Sequence, residues 1–565
     1  MKKLLFIFVF FLSAIRYPLS AIIAAPPHPL IYDVGPVSPE MQALITKPRI
    51  AVPRMPAEHV SPRAITTGTV NVAALLIEFT DVTASSSHSK SYFDNKLFSQ
   101  NAGYYSMYDY FNEVSDGQLA ITGTTGSRWY KSAHALAYYG ADGSGGVDTY
   151  YTDISNLVIE AVQQADVDID FSQYDLDGDG IVNHVIIIHA GEGQENSGNT
   201  NDIWSHSGSF IGSYLTNDGV RIKSYTMLSE YSPVGVFAHE FGHDLGLPDL
   251  YNTQSLGGTT VVGEWDLMDF GSWLGLNHNG FFPAHIGAWG KKYLGWVTPI
   301  DLTQKELGVT VTTAGAQSVY KIPAMTADDP LKEYFLVEYR RKANFDRYLP
   351  GEGLLIWHID DAMLDYETHD SLNNTGTALY LNVVNSEPYV PHRAVDLVEA
   401  DNTDKTSEAS DPFPGTSGIT SFVSPYNNAY NQQSSPFSIL NISNAGGSSI
   451  TFDIYQAVFT ASPDITDVYS YPNPSKTGQA TLKIITTNLV ETSNIQLKIY
   501  DLNGELVRAT KTGEIRQVAV SDNRVEYAYT WDGKNQEGEK VANGIYLYWF
   551  KADNKSKTGK VAILK

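Results

Sequence analysis

The chain has 565 residues, of which 63 are Asp or Glu and 38 are Lys or Arg, and the resulting formal charge of −25 argues against nucleic acid or anionic lipid as a partner. It contains no cysteine, which excludes a disulfide framework and any thiolate metal site, so a bound metal would rest on His and carboxylate. The length suggests three or four domains.

In chain order, Met1-Lys2-Lys3, the apolar run Leu4 to Ile15 and the small residues Ala21, Ala24 and Ala25 read as a secretory signal peptide over residues 1–25; the run is short for a membrane anchor. Residues 26–66 are rich in proline and lack periodicity, as in an extended linker or prosegment. Arg49, Arg54 and Arg63 are processing points or plain loop residues. An α/β domain is expected over 67–300. Its signals are a continuously apolar strand at 70–79, a helix capped by Ser106 and running to Val114, a strand at 118–122, and helical apolar spacing over 153–164.

Asp175, Asp177 and Asp179 alternate with Gly178 and Gly180 in a stretch that matches the first half of an EF-hand-like calcium loop. The three carboxylates, the Ile181 carbonyl and Asn183 would be the ligands. The match then stops, because Ile186, inside a strand at 182–189, stands where the bidentate Glu belongs; an Asp/Gly-rich turn is the alternative. His184, His189 and His206 read as structural or surface histidines, and none is assigned to a metal.

The stretch 232–249 carries the chemistry. Ser232 suits an N-cap and Pro233 a first helical residue. In the helix that follows, His239 and His243 are i and i+4, so both imidazoles share one face and can bind one cation, with Glu240 beside them to reach a water in the open position. Gly246 can end the helix in a left-handed conformation, letting Asp249 return as third ligand; Glu264 and Asp269 are rival carboxylates for that role. Zinc would lower the pKa of its water to about 7, and Glu240 would take the proton as the water attacks a peptide carbonyl and pass it to the leaving amine. A solvated helix with satisfied histidines is the bland alternative.

A helix at 283–294 closes this domain. A β-rich companion domain, expected as a sandwich, covers 301–457, with strands at 318–322, 333–340, 353–359 and 449–454. There, Asp396, Glu399, Asp401 and Asp404 form a solvated acidic face or another cation site, and His358 reads as a core histidine. After a linker at Ser462-Pro-Asp, residues 466–565 read as a small all-β, Ig-like sandwich.

The pattern His-Glu-x-x-His-x-x-Gly-x-x-Asp resembles the metzincin signature, which usually has His as third ligand and a Met-containing turn downstream. Met268, in Trp265-Asp-Leu-Met-Asp-Phe-Gly-Ser-Trp, stands where that turn would be. Residues 239–251, 265–273 and the Asp-rich loop resemble immune inhibitor A-type secreted metallopeptidases, strongly over 70–300 and more diffusely to 457. The resemblance implies a metzincin-like catalytic domain and a latency-keeping prosegment in which Asp33 or Glu58 could cover the metal. It also implies a cleft rim at 191–207. Some metzincins carry Tyr two residues after the turn Met; Phe270 stands there, so an oxyanion donor would come from elsewhere. Tyr471-Pro-Asn-Pro, Tyr500-Asp-Leu-Asn-Gly, Trp531-Asp-Gly and Gly544-Ile-Tyr-Leu-Tyr-Trp resemble type IX secretion sorting and flagellar hook-capping Ig-like domains. That implies contact with secretion machinery or cell-surface attachment, with an inert accessory domain as the alternative.

The expectation is a secreted zinc endopeptidase that acts on protein or peptide substrates and also binds calcium. Two alternatives stand beside it: a catalytically inactive adhesin or binding protein on the same scaffold, and a hydrolase of another amide or ester.

Overall fold

The apolar run at 70–79 lies one strand in from the edge of a six-stranded sheet. In the computed structural model the strands are β1 (Ile22–Ala24), β2 (Gly68–Glu78), β3 (Leu119–Lys131), β4 (Val185–His189), β5 (His206–Leu215) and β6 (Arg221–Ser229), in the order β1-β5-β6-β4-β2-β3. Strands β3, β2, β4 and β6 pair in parallel, and β5 and β1 add antiparallel at one edge. The structure describes residues 22–24 and 65–564, apart from 101–105, 144–147, 149–152, 252–259, 325–332, 362–392, 404–406, 425, 431–434, 457–463, 488–489, 491, 512, 522–523 and 553. Asp33, Glu58, Arg49, Arg54, Arg63, Asp404 and all but the last part of the expected signal peptide lie outside the described residues.

Strand β2 is apolar throughout because both its faces are covered. Val70, Val72, Ala74 and Leu76 share one core with Phe237 and Phe241 of the Val234–Asp244 helix, while Ala73, Leu75 and Ile77 share another with Leu157, Val158 and Ala161 of the Ser155–Ala165 helix. The helix Met107–Val114 starts on Ser106, whose hydroxyl accepts the Asp109 N–H.

Three elements differ from their sequence pattern. Strand β3 runs on to Lys131, because the polar stretch after Thr122 keeps pairing with β2 across a bulge. Strand β4 begins only at Val185, since the Val182 and Asn183 N–H groups bond the Arg221 and Tyr174 carbonyls instead. The last helix is confined to Ala288–Tyr293. The N–H groups of Ala284, His285 and Gly287 are taken by Gly271 O, Asp346 and Asp266, so tertiary acceptors displace the first helical turns.

Beyond residue 300 the described elements are mainly strands: β7 (Ile300–Asp301), β8 (Glu306–Thr312), β9 (Val319–Pro323), β10 (Glu333–Arg340), β11 (Gly353–Asp360), β12 (Val395–Val398), β13 (Phe437–Leu440) and β14 (Ser449–Gln456). They form a five-stranded sheet, β12-β11-β10-β9-β7, and a three-stranded one, β13-β14-β8. Every residue of β10 and β11 is buried, and the alternation of their side chains shows why. Phe335, Val337, Leu354 and Ile356 meet the three-stranded sheet, whereas Leu336, Leu355, Trp357 and Ile359 join the core that contains the Val234–Asp244 helix. The two parts of the chain therefore share one continuous apolar core. Between Ile465 and Ile563, two four-stranded antiparallel sheets enclose a separate core built on Leu482, Ile499, Tyr527, Trp531 and Phe550. Among the described residues no helix is long and apolar enough to cross a membrane.

Candidate metal centre

The helix that carries the histidines runs from Val234 to Asp244, and all its residues through His243 are buried. It starts one residue later than its sequence suggests. Pro233 occupies the N-cap, and the Ser232 hydroxyl accepts the Ser229 N–H, closing the turn out of β6. Gly235 lets the first turn approach its neighbour closely: a Cβ there would lie 1.9 Å from Ser272 O. Gly235→Ala is expected to cost about 1–3 kcal/mol by overpacking, read as a lowered melting temperature. Beyond the helix Gly246 adopts φ +104°, which turns the chain back towards the imidazoles.

Three donor atoms converge there. His239 Nε2 and His243 Nε2 are 3.1 Å apart, and Asp249 Oδ1 lies 3.2 Å from each, all on fully or almost fully buried residues. Each histidine donates Nδ1–H to a backbone carbonyl, His239 to Leu267 O at 2.9 Å and His243 to Leu247 O at 2.8 Å. In the neutral rings that leaves the Nε2 lone pairs facing one another and a carboxylate oxygen, an arrangement that suits a cation held among them. Triangle edges of this size belong to donors about 2 Å from one centre, the bond length of tetrahedral zinc with nitrogen and oxygen. Two imidazoles and a carboxylate are the kind of three-ligand set that catalytic zinc sites use. Burial draws the His243 imidazole towards its neutral form. It would also raise the Asp249 carboxyl, but the two histidines overcome this and hold it well below the usual carboxylate range.

Glu240 is fully buried beside this triangle, and neither of its carboxylate oxygens makes a well-formed hydrogen bond. Burial pushes its pKa well up, the Asp249 and Glu195 charges add to this, and the Ser207 N–H pulls it slightly down. Ser207 lies on β5 and pairs with Ile23 of β1, so the N-terminal strand runs along the sheet edge next to Glu240.

The segment 265–269 underlies the centre. Met268 is 1% exposed, and its Sδ lies 2.8 Å from where a Cβ on Gly242 would be, so it packs beneath the helix. Of the rival carboxylates, Asp269 accepts backbone N–H groups from Val261, Val262, Gly263 and Phe270, and Glu264 pairs with His278 at 3.3 Å. Asp249 is the carboxylate that closes the triangle.

The second acidic loop brings carboxylate oxygens of Asp175, Asp177 and Asp179 within 4.8 Å of one another near the surface. Asp175 also accepts N–H groups from Gly178, Asp179 and Gly180, and Asn183 accepts that of Leu176. The Ile181 N–H goes to Asp179. The other histidines have their own partners: His184 with Asp244, His189 with Ala190 O, His206 with Trp204 O and Tyr225, and His358 with Glu333. Of the acidic residues near 400, Asp396 pairs with Arg393, whereas Asp401 gathers with Glu408 and Asp411.

Residues 69–297 match the family model described as the immune inhibitor A peptidase M6 catalytic domain. This segment is therefore similar to immune inhibitor A-type metallopeptidase catalytic domains. The chain is similar to the pre-pro-metalloprotease PrtV of Vibrio cholerae, 30% identical over 296 residues that make up 42% of this chain and 32% of the relative. It is also similar to Immune inhibitor A of Bacillus thuringiensis subsp. alesti, 30% identical over 249 residues, 38% of this chain and 36% of the relative. The chain thus spans about a third of the length of these relatives. Latent dimeric PorU from Porphyromonas gingivalis is a weak structural match, at 23% identity and TM-score 0.14, covering 23% of this chain and 12% of that one, and carries no argument.

Proposed function

We propose that the chain is a secreted zinc-dependent endopeptidase in which His239, His243 and Asp249 hold zinc and Glu240 is the general base. The observation that carries this reading is the buried triangle of two Nε2 atoms and one Oδ1, with the Glu240 carboxyl beside it. Zinc bound there would supply a Lewis acid and an activated water. The protein's share is positional. Leu267 O and Leu247 O fix the tautomers, Asp249 keeps a negative oxygen on the third corner, and Glu240 takes the proton from the attacking water and delivers it to the leaving nitrogen. The fold around it reads as a metzincin-like domain with Met268 as its turn residue, and 466–565 as an Ig-like sorting or attachment module.

Secretion is supported by the charged and apolar N-terminus and by the "pre-pro" in the name of the PrtV relative. A latent precursor fits β1, which occupies the sheet edge beside Glu240; leader cleavage after Ala21 would keep this strand, and cleavage after Ala25 would remove it.

The test is cleavage of a generic unfolded protein by the processed chain, stripped of metal and then refilled with zinc. Cleavage that follows the zinc supports the reading. Zinc binding without cleavage favours an inactive binding protein, and turnover of only ester or other amide substrates favours a different hydrolase.

Calcium in the 175–183 loop is part of the same proposal, supported by its three gathered carboxylates. Asp175 and Asp179 also bind the loop's own N–H groups, so Asp177→Asn is the cleaner variant. Calorimetric titration of the full chain with Ca2+ should lose one site in this variant; an unchanged isotherm would leave a plain Asp/Gly turn.

A further inference from the structure

The strip 265–268 touches both sides of the proposed zinc set. Leu267 O accepts the His239 Nδ1–H at 2.9 Å, and Met268 O accepts the N–H of Leu250, the residue after Asp249, also at 2.9 Å. What holds the strip comes partly from outside the peptidase M6 match, which ends at residue 297. Arg340, on β10 and 2% exposed, donates Nη1–H to Trp265 O at 3.1 Å. Its other nitrogens are locked by two 2.6 Å bonds to Asp346. Asp411, fully buried in the loop after β12, accepts the Trp265 indole N–H at 2.9 Å. The Glu264 N–H goes to Ser407 of the same loop at 2.9 Å. Asp266 completes the hold by accepting the N–H groups of Met268 and Gly287, each at 2.7 Å.

We infer that Arg340 and Asp411 are positioning residues for the metal centre. The β-rich part of the chain clamps Trp265 at its carbonyl and its indole, and thereby sets where the Leu267 and Met268 carbonyls aim His239 and Asp249. Groups that hydrogen-bond a metal ligand fix its orientation, and losing one typically costs about 10–100-fold in metal affinity; Arg340 and Asp411 hold the strip that carries such groups. The inference rests on the zinc reading above and adds that the segment after 297 is part of the site, not an appendage.

The test measures zinc affinity of the full chain by competition with a chelator, alongside the melting temperature. Asp411→Ala should weaken zinc binding about 10–100-fold, and Trp265→Phe, which keeps an aromatic ring but loses the N–H, about 10-fold. Asp411→Asn retains an acceptor oxygen for the indole and should bind zinc close to wild type. Ile450→Ala, in the core between the two companion sheets, should lower the melting temperature and leave zinc affinity unchanged. The clamp is overturned if Asp411→Ala and Trp265→Phe hold zinc as tightly as wild type, or if Ile450→Ala weakens it equally. If Asp411→Ala does not fold, Trp265→Phe and Asp411→Asn decide. A wild-type chain that binds no zinc would instead sink the zinc reading itself, and the clamp with it.

Discussion

Glu240→Gln should abolish most peptide-bond hydrolysis, a fall of about 10²–10⁴-fold, while the full zinc content is retained. The substitution is nearly isosteric, which matters because Glu240 sits in a helix buried along its whole length up to His243. The amide cannot accept the proton of an attacking water, and Glu240 is outside the His239, His243 and Asp249 triangle, so metal binding should survive. Steady-state cleavage with zinc quantified on the same samples checks this. Retained activity would remove Glu240 from the chemistry, and loss of zinc together with activity would give it a ligand role.

Arg340→Met should destabilise the chain by about 3–5 kcal/mol, because it takes from two buried carboxylates the counter-charge they share. Asp346 is 4% and Glu338 2% exposed, and both face the guanidinium. Burial alone would raise the Asp346 carboxyl; Arg340 and His285 outweigh it and hold the pKa below the usual value. For Glu338, burial is likewise outweighed, by Lys291 and Arg340. A carboxyl lowered on folding contributes stability that is present above its unfolded pKa, about 4, and is lost as pH falls through the lowered folded value. The destabilisation by Arg340→Met should therefore be largest near neutral pH and shrink on acidification, where protonation relieves the stranded carboxylates. Denaturant unfolding at neutral pH and at a pH below about 4 checks the sign. An equal loss at each would show that the guanidinium acts through packing and not through charge.

The metal-binding stretch was legible because its geometry is local. His239, Glu240 and His243 meet through helical spacing, and Gly246 announces the turn that returns Asp249. The sequence favoured Asp249 as third ligand but kept Glu264 and Asp269 as rivals, because what occupies those two is not local: four backbone N–H groups engage Asp269, and His278 lies beside Glu264. The alternating strands and helices of the first domain were visible as apolar patterns, whereas the long polar half of β3 was not, because its pairing with β2 comes from the neighbour and not from its own residues. The helix expected over 283–294 lost its first part for the same reason, since distant carboxylates and a carbonyl took the N–H groups there and left it to Ala288–Tyr293. Nothing local marks Arg340 or Asp411 as partners of Trp265; they meet it over 75 and 146 residues of chain.

The most direct test of the zinc centre is anomalous diffraction at the zinc edge from crystals of the zinc-loaded chain. One strong peak is predicted, about 2 Å from His239 Nε2, His243 Nε2 and Asp249 Oδ1. A peak ligated by Glu264 or Asp269 in place of Asp249, or zinc bound away from the two histidines, would contradict it.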